Sequence, residues 1–511
     1  MMPTFPLRCR LMSSPYNDEF WRKIKAYLRT HAAPAVEETK NYHHDFALTT
    51  SFHGVHNLVN NGNNGVRSKI RKVVWVSVVT IFSMLAFWQV CSRLINFHTW
   101  PTTTSVTVQY VENIEFPSVT FCSLNRFQTK AVTNLSIAFF MWNVVSAVLH
   151  SPANSEDLPS LQDVMDFLQR NQNFSIKEFT KNGGFYLNRS TLLKCSYLGC
   201  PCYAEDFEHI FTEYGNCYTF NHNDTSVIKK PSSSGSGLSV LFDIKEPEFT
   251  DDPSLGYVDA GITFVIHSSK IRPKFDGHGL FSPVGMHAHT SIRHVKTIIQ
   301  EHPWGECNPH LRLEYQDVYN TYGCLQECKS RHIINECGCY PFLLPGRGKE
   351  CDIQQLYGCV SAALYRVEKF DLCSMGTYNS TCPVPCEETD YPATLSYSTF
   401  PSDRAADFLS LKLSKNATYM RNNLVYIDIK YQELNYKITK QQKALTASVL
   451  LSDIGGQLGL FCGASLITMI EIFEYICTNL YWICIFLILK APNMPFCSSI
   501  QSRYRREVQE C

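Results

Sequence analysis

Hydrophobic and polar positions divide the chain into two apolar stretches with a long mixed region between them. The first, VVWVSVVTIFSMLAFWQVCS, runs from Val73 to Ser92 without a charge and is long enough to cross a bilayer as a helix. The second, Val449 to Leu489, is 41 residues, twice a simple span. It fits a hairpin of two helices or one long tilted helix. No Pro, Gly pair or charge cluster between Gly463 and Leu489 offers a turn, so one crossing is expected. This stretch also carries Asp453, Gln457, Ser465, Glu471 and Glu474. A carboxylate in hydrocarbon costs at least ~2.5 kcal/mol, which marks such acids as functional candidates. Asp453 and Glu471 are five helical turns apart, about 27 Å, close to the ~30 Å hydrocarbon thickness. On a continuous helix one stripe reads Asp453, Gly456, Leu460, Ala464, Ile467 and Glu471, which suits the lining of a cation path. Gly455, Gly459 and Gly463 recur every four residues, a spacing that lets membrane helices approach closely. The simpler alternative is an anchor helix whose acids snorkel to the interfaces.

Between these stretches the pattern alternates in type. SVTVQY and IEFPSVTFC read as strands, as do SVLFDI, AGITFVIH and LVYIDIKYQ. Residues 136–213 read as more helical, with apolar spacings of three and four in DLPSLQDVMDFLQR and YAEDFEHIFTEY. TSIRHVKTIIQ and GCLQECKSRHIINECGC read as short helices, and PSSSGSG at 231–237 as a flexible loop.

Cysteine changes this picture most. The chain has 22, and 15 lie between Phe97 and Pro392, a density that persists as disulfides only in oxidising compartments. Asn134, Asn173, Asn188, Asn223, Asn379 and Asn416 each open an N-x-S/T triplet, all between the two apolar stretches. The middle is therefore expected outside the cell, as one disulfide-rich α+β ectodomain. Arg67, Lys69, Arg71 and Lys72 before the first span, and Lys490, Arg503, Arg505 and Arg506 after the second, place both termini in the cytoplasm. Lys437, Lys440 and Lys443 on the outer flank oppose that rule. No cleavable signal peptide is expected. The resulting layout is a cytoplasmic segment 1–72, a span 73–95, an ectodomain 96–443, a second span 444–489 and a cytoplasmic tail 490–511, in a multi-pass plasma-membrane protein.

Net charge is zero, which gives no footprint for nucleic acid. No HExxH, Walker or nucleophile-elbow pattern occurs, so no enzymatic chemistry and no cofactor are expected. His287 and His289 share one strand face, but no further ligand is evident in the sequence, so no metal is expected.

FPSVTFC after the first span, His53-Gly54 before it, PWGEC at 303–307, the cysteine array from 324 to 386 and LSDIGGQLGLFCGAS together resemble the degenerin/epithelial sodium channel family, in its acid-sensing branch. The resemblance covers about residues 40–480. It implies a homotrimer with two transmembrane helices per subunit and a hand-like ectodomain of palm, knuckle, finger, thumb and β-ball. It assigns Gly463, Ala464 and Ser465 to a selectivity filter, an unwound belt between two halves of the second helix. Such a belt would interrupt the continuous stripe and leave 27 Å as an approximate spacing only. Asp453, Gly456, Leu460, Ile467, Glu471 and Glu474 remain pore-lining candidates. The resemblance further assigns gating roles to His53, Gly54, Ser452, Trp100, Trp304, Leu434 and Asn435. It implies the pairs Cys122–Cys217, Cys195–Cys202, Cys307–Cys386, Cys324–Cys382, Cys328–Cys373, Cys337–Cys359 and Cys339–Cys351, leaving Cys200 over; spacing alone selects no connectivity.

The expected function is a ligand-gated, sodium-preferring cation channel blocked by amiloride. Departures from the acid-sensing pattern argue against opening by mild acid. Ser361 and Tyr365 stand at thumb positions where relatives have acids, and Ser254 and Leu255 on the partner strand, although Asp251 and Asp252 are near. Lys437 and Lys440 stand where relatives have glutamates, and only His98 remains of a histidine pair. The resemblance implies instead an amphipathic sterol-like activator such as a bile acid, for which no residue identifies the site, with membrane lipid as a further partner. A proton-gated sodium channel is the alternative within this class. A non-conducting adhesion or receptor ectodomain is the alternative outside it, but leaves Gly463-Ala464-Ser465 unexplained. A nucleotide-gated trimeric channel shares the two-span, cysteine-rich layout but not the belt or the thumb array.

Overall fold

The computed structural model describes residues 42–59, 66–129, 166, 169–170, 174–222, 237–249 and 259–490. Asn134, Asn173, Asn223, Asp251, Asp252, Ser254, Leu255, most of the helix expected in 157–170 and the terminal segments 1–41 and 491–511 lie outside the described residues. The helices used below are α1 (Val55–Val59), α2 (Val66–His98), α3 (Ile176–Gly183), α4 (Thr321–Cys337), α5 (Ser361–Lys369), α6 (Asp403–Leu413), α7 (Ala417–Asn423), α8 (Ala447–Cys462) and α9 (Leu466–Lys490). The chain divides into a helical unit, Met1–Pro101 with Leu445–Cys511, and a β-rich unit, Thr102–Ala444.

The β-rich unit contains two main sheets. Its strands are β1 (Thr102–Tyr110), β2 (Ser118–Ser123), β3 (Leu192–Tyr197), β4 (Cys200–Pro201), β5 (Phe207–Thr212), β6 (Gly215–Phe220), β7 (Gly237–Asp243), β8 (Gly261–His267), β9 (Leu280–Pro283), β10 (Met286–Ile298), β11 (Met375–Gly376), β12 (Cys382–Pro383), β13 (Glu387–Asp390), β14 (Ala393–Thr399) and β15 (Leu424–Lys443). The larger, eight-stranded sheet runs β13-β10-β15-β7-β3-β4, with β1 on β15 and β14 on β10. The smaller runs β5-β6-β2-β8-β9. Their inner faces meet through aromatic rings: Phe121 of β2 lies 5.2 Å from Phe242 of β7 in the other sheet, and 5.9 Å from its cross-strand neighbour Phe264 of β8. Around them Ile114, Val240, Ile262, Ile292, Ile427 and Ile429 are fully buried, so period-two patterning in both sheets makes one core.

Two segments differ from their sequence reading. TSIRHVKTIIQ belongs mostly to β10, a strand. Ala288, Thr290, Ile292 and His294 alternate inward with period two, and β10 lies between parallel β15 and antiparallel β13 and β14. Tertiary pairing on both sides outweighs a weak helical spacing. YAEDFEHIFTEY also yields a strand, apart from a single 3-10 turn at Ala204–Asp206. FEHIFT pairs with GNCYTF from Phe207↔Phe220 to Thr212↔Gly215, a hairpin whose two-residue connection leads into Gly215 at φ +82°. Glycine suits that left-handed position. GCLQECKSRHIINECGC does form a helix, α4, which Asn320 caps by accepting from the Gly323 N–H at 2.6 Å and which Gly338 ends at φ +69°.

Seven disulfides join Cys122–Cys217, Cys195–Cys202, Cys307–Cys386, Cys324–Cys382, Cys328–Cys373, Cys337–Cys359 and Cys339–Cys351, the same pairs that the family resemblance names. Cys200 is free and exposed. Three bridges leave α4 alone, and Ile333, Val360 and Ala363 pack beneath it with less than 2% exposure. Within the same region Glu327 is buried and accepts the backbone N–H groups of Glu314 and Tyr315, both at 2.9 Å.

His267 gives this unit a defined acid sensitivity. It is buried, with Nε2 2.8 Å from Thr120 Oγ1 and Nδ1 2.8 Å from the Ser268 carbonyl oxygen. Burial pushes its imidazole down to about 4. The unfolded chain therefore binds the extra proton between pH 6.5 and about 4, and stability present above 6.5 is lost as pH falls through that window. The drop from 6.5 to about 4 corresponds to about 3 kcal/mol. In thermal melts of the detergent-purified full-length protein, the advantage of wild type over His267→Asn is expected to narrow from pH 6.5 downward. A gap that stays constant with pH would count against a neutral buried imidazole.

Candidate functional site

Among the described residues, α2 is the one helix that is by itself long and apolar enough to span a membrane. Ala447–Cys462 and Leu466–Tyr481 meet the same test only as a pair, bent by 78°. The helix breaks at Gly463-Ala464-Ser465, where the family resemblance implies an unwound belt, so the continuous stripe is corrected: Asp453 and Glu471 lie on different helices.

The break is built into local chemistry. Thr446 starts α8 by accepting from the Val449 N–H at 3.3 Å. Gly463 ends it at φ +63°, with its N–H on the Gly459 carbonyl at 3.0 Å and the Ala464 N–H on Leu458 at 3.2 Å. The first of these is the bond of an αL stop, which requires a residue at ease in the left-handed region. Ser465 then caps α9. Its Oγ accepts from the Thr468 N–H at 3.3 Å while Thr468 Oγ1 accepts from the Ser465 N–H at 3.1 Å. The negative end of the α8 dipole and the positive end of the α9 dipole thus meet at one short break, where the Gly463–Ser465 backbone is released from helical pairing and its carbonyls can serve a cation.

Residues 42–54 fold against this break. The His53 N–H donates to the Cys462 carbonyl at 3.1 Å. A Cβ on Gly463 would overlap the His53 ring, and one on Gly54 (φ +88°) would sit 2.8 Å from Val79 Cγ2. Ser51 donates through its N–H and Oγ to Glu471 Oε2, each at 3.1 Å, and Ser51 Oγ lies 2.5 Å from Thr468 Oγ1. Thr50 Oγ1 adds a bond to the same carboxylate at 3.3 Å. Below it Phe46 stacks on Tyr475 at 4.1 Å and His43 Nδ1 lies 2.7 Å from its hydroxyl. Sequence reading found His53 and Gly54 but missed Ser51, Thr468 and Tyr475. The successive hydroxyls of TTS and the SLIT run were the only signal for the first two, and Tyr475 carried none.

The other candidates are distributed as follows. Ser452, Gly456 and Leu460 are exposed on α8 of the single chain, as are Ile467 and Glu474 on α9. Asp453 is half-buried with Arg93 Nη1 of α2 at 3.8 Å. Gly455 and Gly456 have nothing within 4 Å of an added Cβ. Ala464 is buried against Ala86 and Cys462. Trp100 lies in the helical unit at φ +51° beside Phe97, whereas Trp304 lies in the β-rich unit, 3.9 Å beneath Lys443 Nζ. Leu434 and Asn435 occupy a bulge: the β10–β15 register jumps from Ile292↔Tyr431 to His294↔Tyr436. Asn188, Asn379 and Asn416 all reach solvent; Asn188 is partly exposed, and the other two are exposed. Among the described residues Cys328, His332 and Cys373 converge, but both cysteines are spent in one disulfide.

The family described as amiloride-sensitive sodium channel matches residues 46–475, from the loop under the break to the tyrosine that supports it. The chain belongs to the amiloride-sensitive sodium channel family. It is similar to the bile acid-sensitive ion channel of Homo sapiens, 58% identical over 92% of this chain and 93% of that protein. The Rattus norvegicus bile acid-sensitive ion channel is 56% identical over 92% and 94%. Acid-sensing ion channel 1 of Gallus gallus is 31% identical over 84% and 82%. As a member of the amiloride-sensitive sodium channel family, the chain is an ion channel of the plasma membrane and not an enzyme.

Proposed function

We propose that this chain forms a homotrimeric, sodium-preferring, amiloride-blocked cation channel opened by bile acids or similar amphiphiles. Each subunit contributes two spans, α2 and the broken pair α8–α9, with both termini cytoplasmic and the β-rich unit outside. The observation that carries this reading is the break at Gly463–Ser465, capped on both sides and seated on His53-Gly54. Unhydrated backbone oxygens at such a break can replace part of the shell of a small cation. The open Gly455–Gly456 face supports close approach of further copies of α8. The bile acid assignment rests on the names of the relatives.

Expression alone in oocytes tests it: amiloride-blocked current carried better by sodium than potassium and increased by bile acid is expected. Absence of current under every condition would instead support the receptor reading. Lys437 and Lys440 are exposed, but three residues apart on a strand they face opposite sides, so one anionic head group does not meet both. Neutralising either is therefore expected to weaken activation less than neutralising both.

A second reading, proton gating, has one observation in its favour. Glu388 lines a cavity of about 520 Å³ in the β-rich unit, and burial together with nearby Asp390 holds its carboxyl above the usual range. A current evoked by stepping the outside pH from 7.4 to 5 would select it.

A further inference from the structure

His287 and His289 project from the outer face of β10, opposite the buried side chains of Ala288 and Thr290. The parallel register sets His289 across from Asp428 on β15, and this supplies the acid that the sequence did not reveal. The two imidazole centroids are 3.8 Å apart, and His287 Nε2 lies 3.3 Å from Asp428 Oδ2. We propose that His287, His289 and Asp428 form a binding site for a divalent transition metal of the zinc or copper type.

Three features carry this assignment. One nitrogen or oxygen from each residue falls within 4.8 Å of the others, whereas ligands about 2.0–2.1 Å from a tetrahedral ion stand about 3.3 Å apart. Small side-chain rotations close that difference. His287 Nε2 is buried and faces Asp428 Oδ2 at 3.3 Å, a contact that falls short of hydrogen-bond geometry and that an ion between the two atoms would replace. Its ring is held in place by stacking on Tyr426 at 4.0 Å, and His289 is positioned by Ser398 Oγ at 3.1 Å from Nε2. Asp428 is oriented from below by Ser239 Oγ at 2.5 Å, an outer-shell contact of the kind that steadies ligating carboxylates.

The ligand set also decides which ions enter. Two imidazoles and one carboxylate suit zinc, copper or nickel, while calcium and magnesium require six or more oxygens or several retained waters. Three protein ligands leave a fourth position for water on the exposed His289 side, which provides the entry path. Lys430 Nζ, 3.2 Å from Asp428 Oδ2, is the competing cation and must turn away when a metal binds. A bound ion would tie β10 to β15, the strand that runs on to Lys443, four residues before the start of α8 at Ala447.

Titration of detergent-purified full-length protein with Co2+, read by its visible ligand-field absorption and displaced by Zn2+, tests the site. One displaceable ion per chain is expected, unaffected by excess Ca2+. His289→Ala, at an exposed position whose loss does not threaten folding, is expected to weaken binding by about tenfold or more. Lys430→Met, which removes the competitor, is expected to strengthen it. Absence of binding in wild type, or binding unchanged in His289→Ala, would overturn the proposal.

Discussion

Gly463→Ala is expected to reduce the sodium current in oocytes by about tenfold or more while the protein still reaches the cell surface. Two costs combine. Alanine at φ +63° occupies the left-handed region at about 1 kcal/mol, and its methyl overlaps the His53 ring, an overpacking that typically costs about 1–3 kcal/mol. That sum is smaller than the stability of an ordinary domain, about 5–15 kcal/mol, so the chain folds. It is large enough, however, to displace either the stop of α8 or the loop beneath it. Moving the loop breaks the His53–Cys462 bond and strains the three contacts that Thr50 and Ser51 make with Glu471. Adding His53→Ala removes the overlap but not the left-handed strain, and is expected to restore part of the current lost by Gly463→Ala. Replacing Ser465 with a bulky residue should act differently. Ser465 is exposed, so its enlargement changes the sodium-to-potassium ratio before it changes assembly. Unchanged current in Gly463→Ala, at equal surface expression, would show that the break is not the conducting element.

Much of this geometry could be read in the residues, and the limits follow from the kind of signal each carries. The stop at Gly463 has a local cause, a glycine in the left-handed region followed by Ser-x-x-Thr, but Gly455, Gly456 and Gly459 stay helical, so it was the family resemblance that marked the break. Apolar length alone could not reveal it, which is why Val449–Leu489 reads as one unbroken helix by that measure. The strands at SVLFDI and AGITFVIH were legible for a local reason, since their alternation matches the pleat. β5 and β10 were not. In TSIRHVKTIIQ the spacing of Ile292, Val295 and Ile299 satisfies a helix as well as Ile292 and His294 satisfy a strand, and only pairing with β15 decides between them. The third metal ligand was hidden more deeply. Asp428 stands 139 residues beyond His289 and becomes its neighbour only through a parallel register. Glu471 was identified as an acid in an apolar helix, but its partners Thr50 and Ser51 precede the first span and carry no periodic signal. Long-range contacts of this kind are set by the assembled fold, and no single segment encodes them.

The largest stability loss from one substitution is expected at a place remote from the break, where β7 ends. Asp243 is fully buried, and Lys415 Nζ lies 2.7 Å from its Oδ2. The Tyr419 hydroxyl donates to both carboxylate oxygens at 3.0 and 3.1 Å, and the Lys245 N–H to Oδ1 at 3.2 Å. Lys415 also sits 4.1 Å over the Tyr419 ring, so one cation holds both the acid and its hydroxyl donor. Lys415→Met keeps the aliphatic volume and deletes the charge, leaving a buried carboxylate with neutral donors only. Breaking a buried pair from one side costs about 3–5 kcal/mol, and the surviving Tyr419 and Lys245 bonds place this case at the lower end. Asp243→Asn alone should cost less, because the amide oxygen still accepts. Combined with Lys415→Met it should recover part of the loss, since no unpaired charge then remains. Thermal melts of the detergent-purified full-length variants check this order. If Lys415→Met melts with wild type, the acid is being solvated and the pair does not hold α7 to β7. If the double variant is no more stable than Lys415→Met, the loss comes from packing of the lysine stem over Tyr419 and not from the stranded carboxylate.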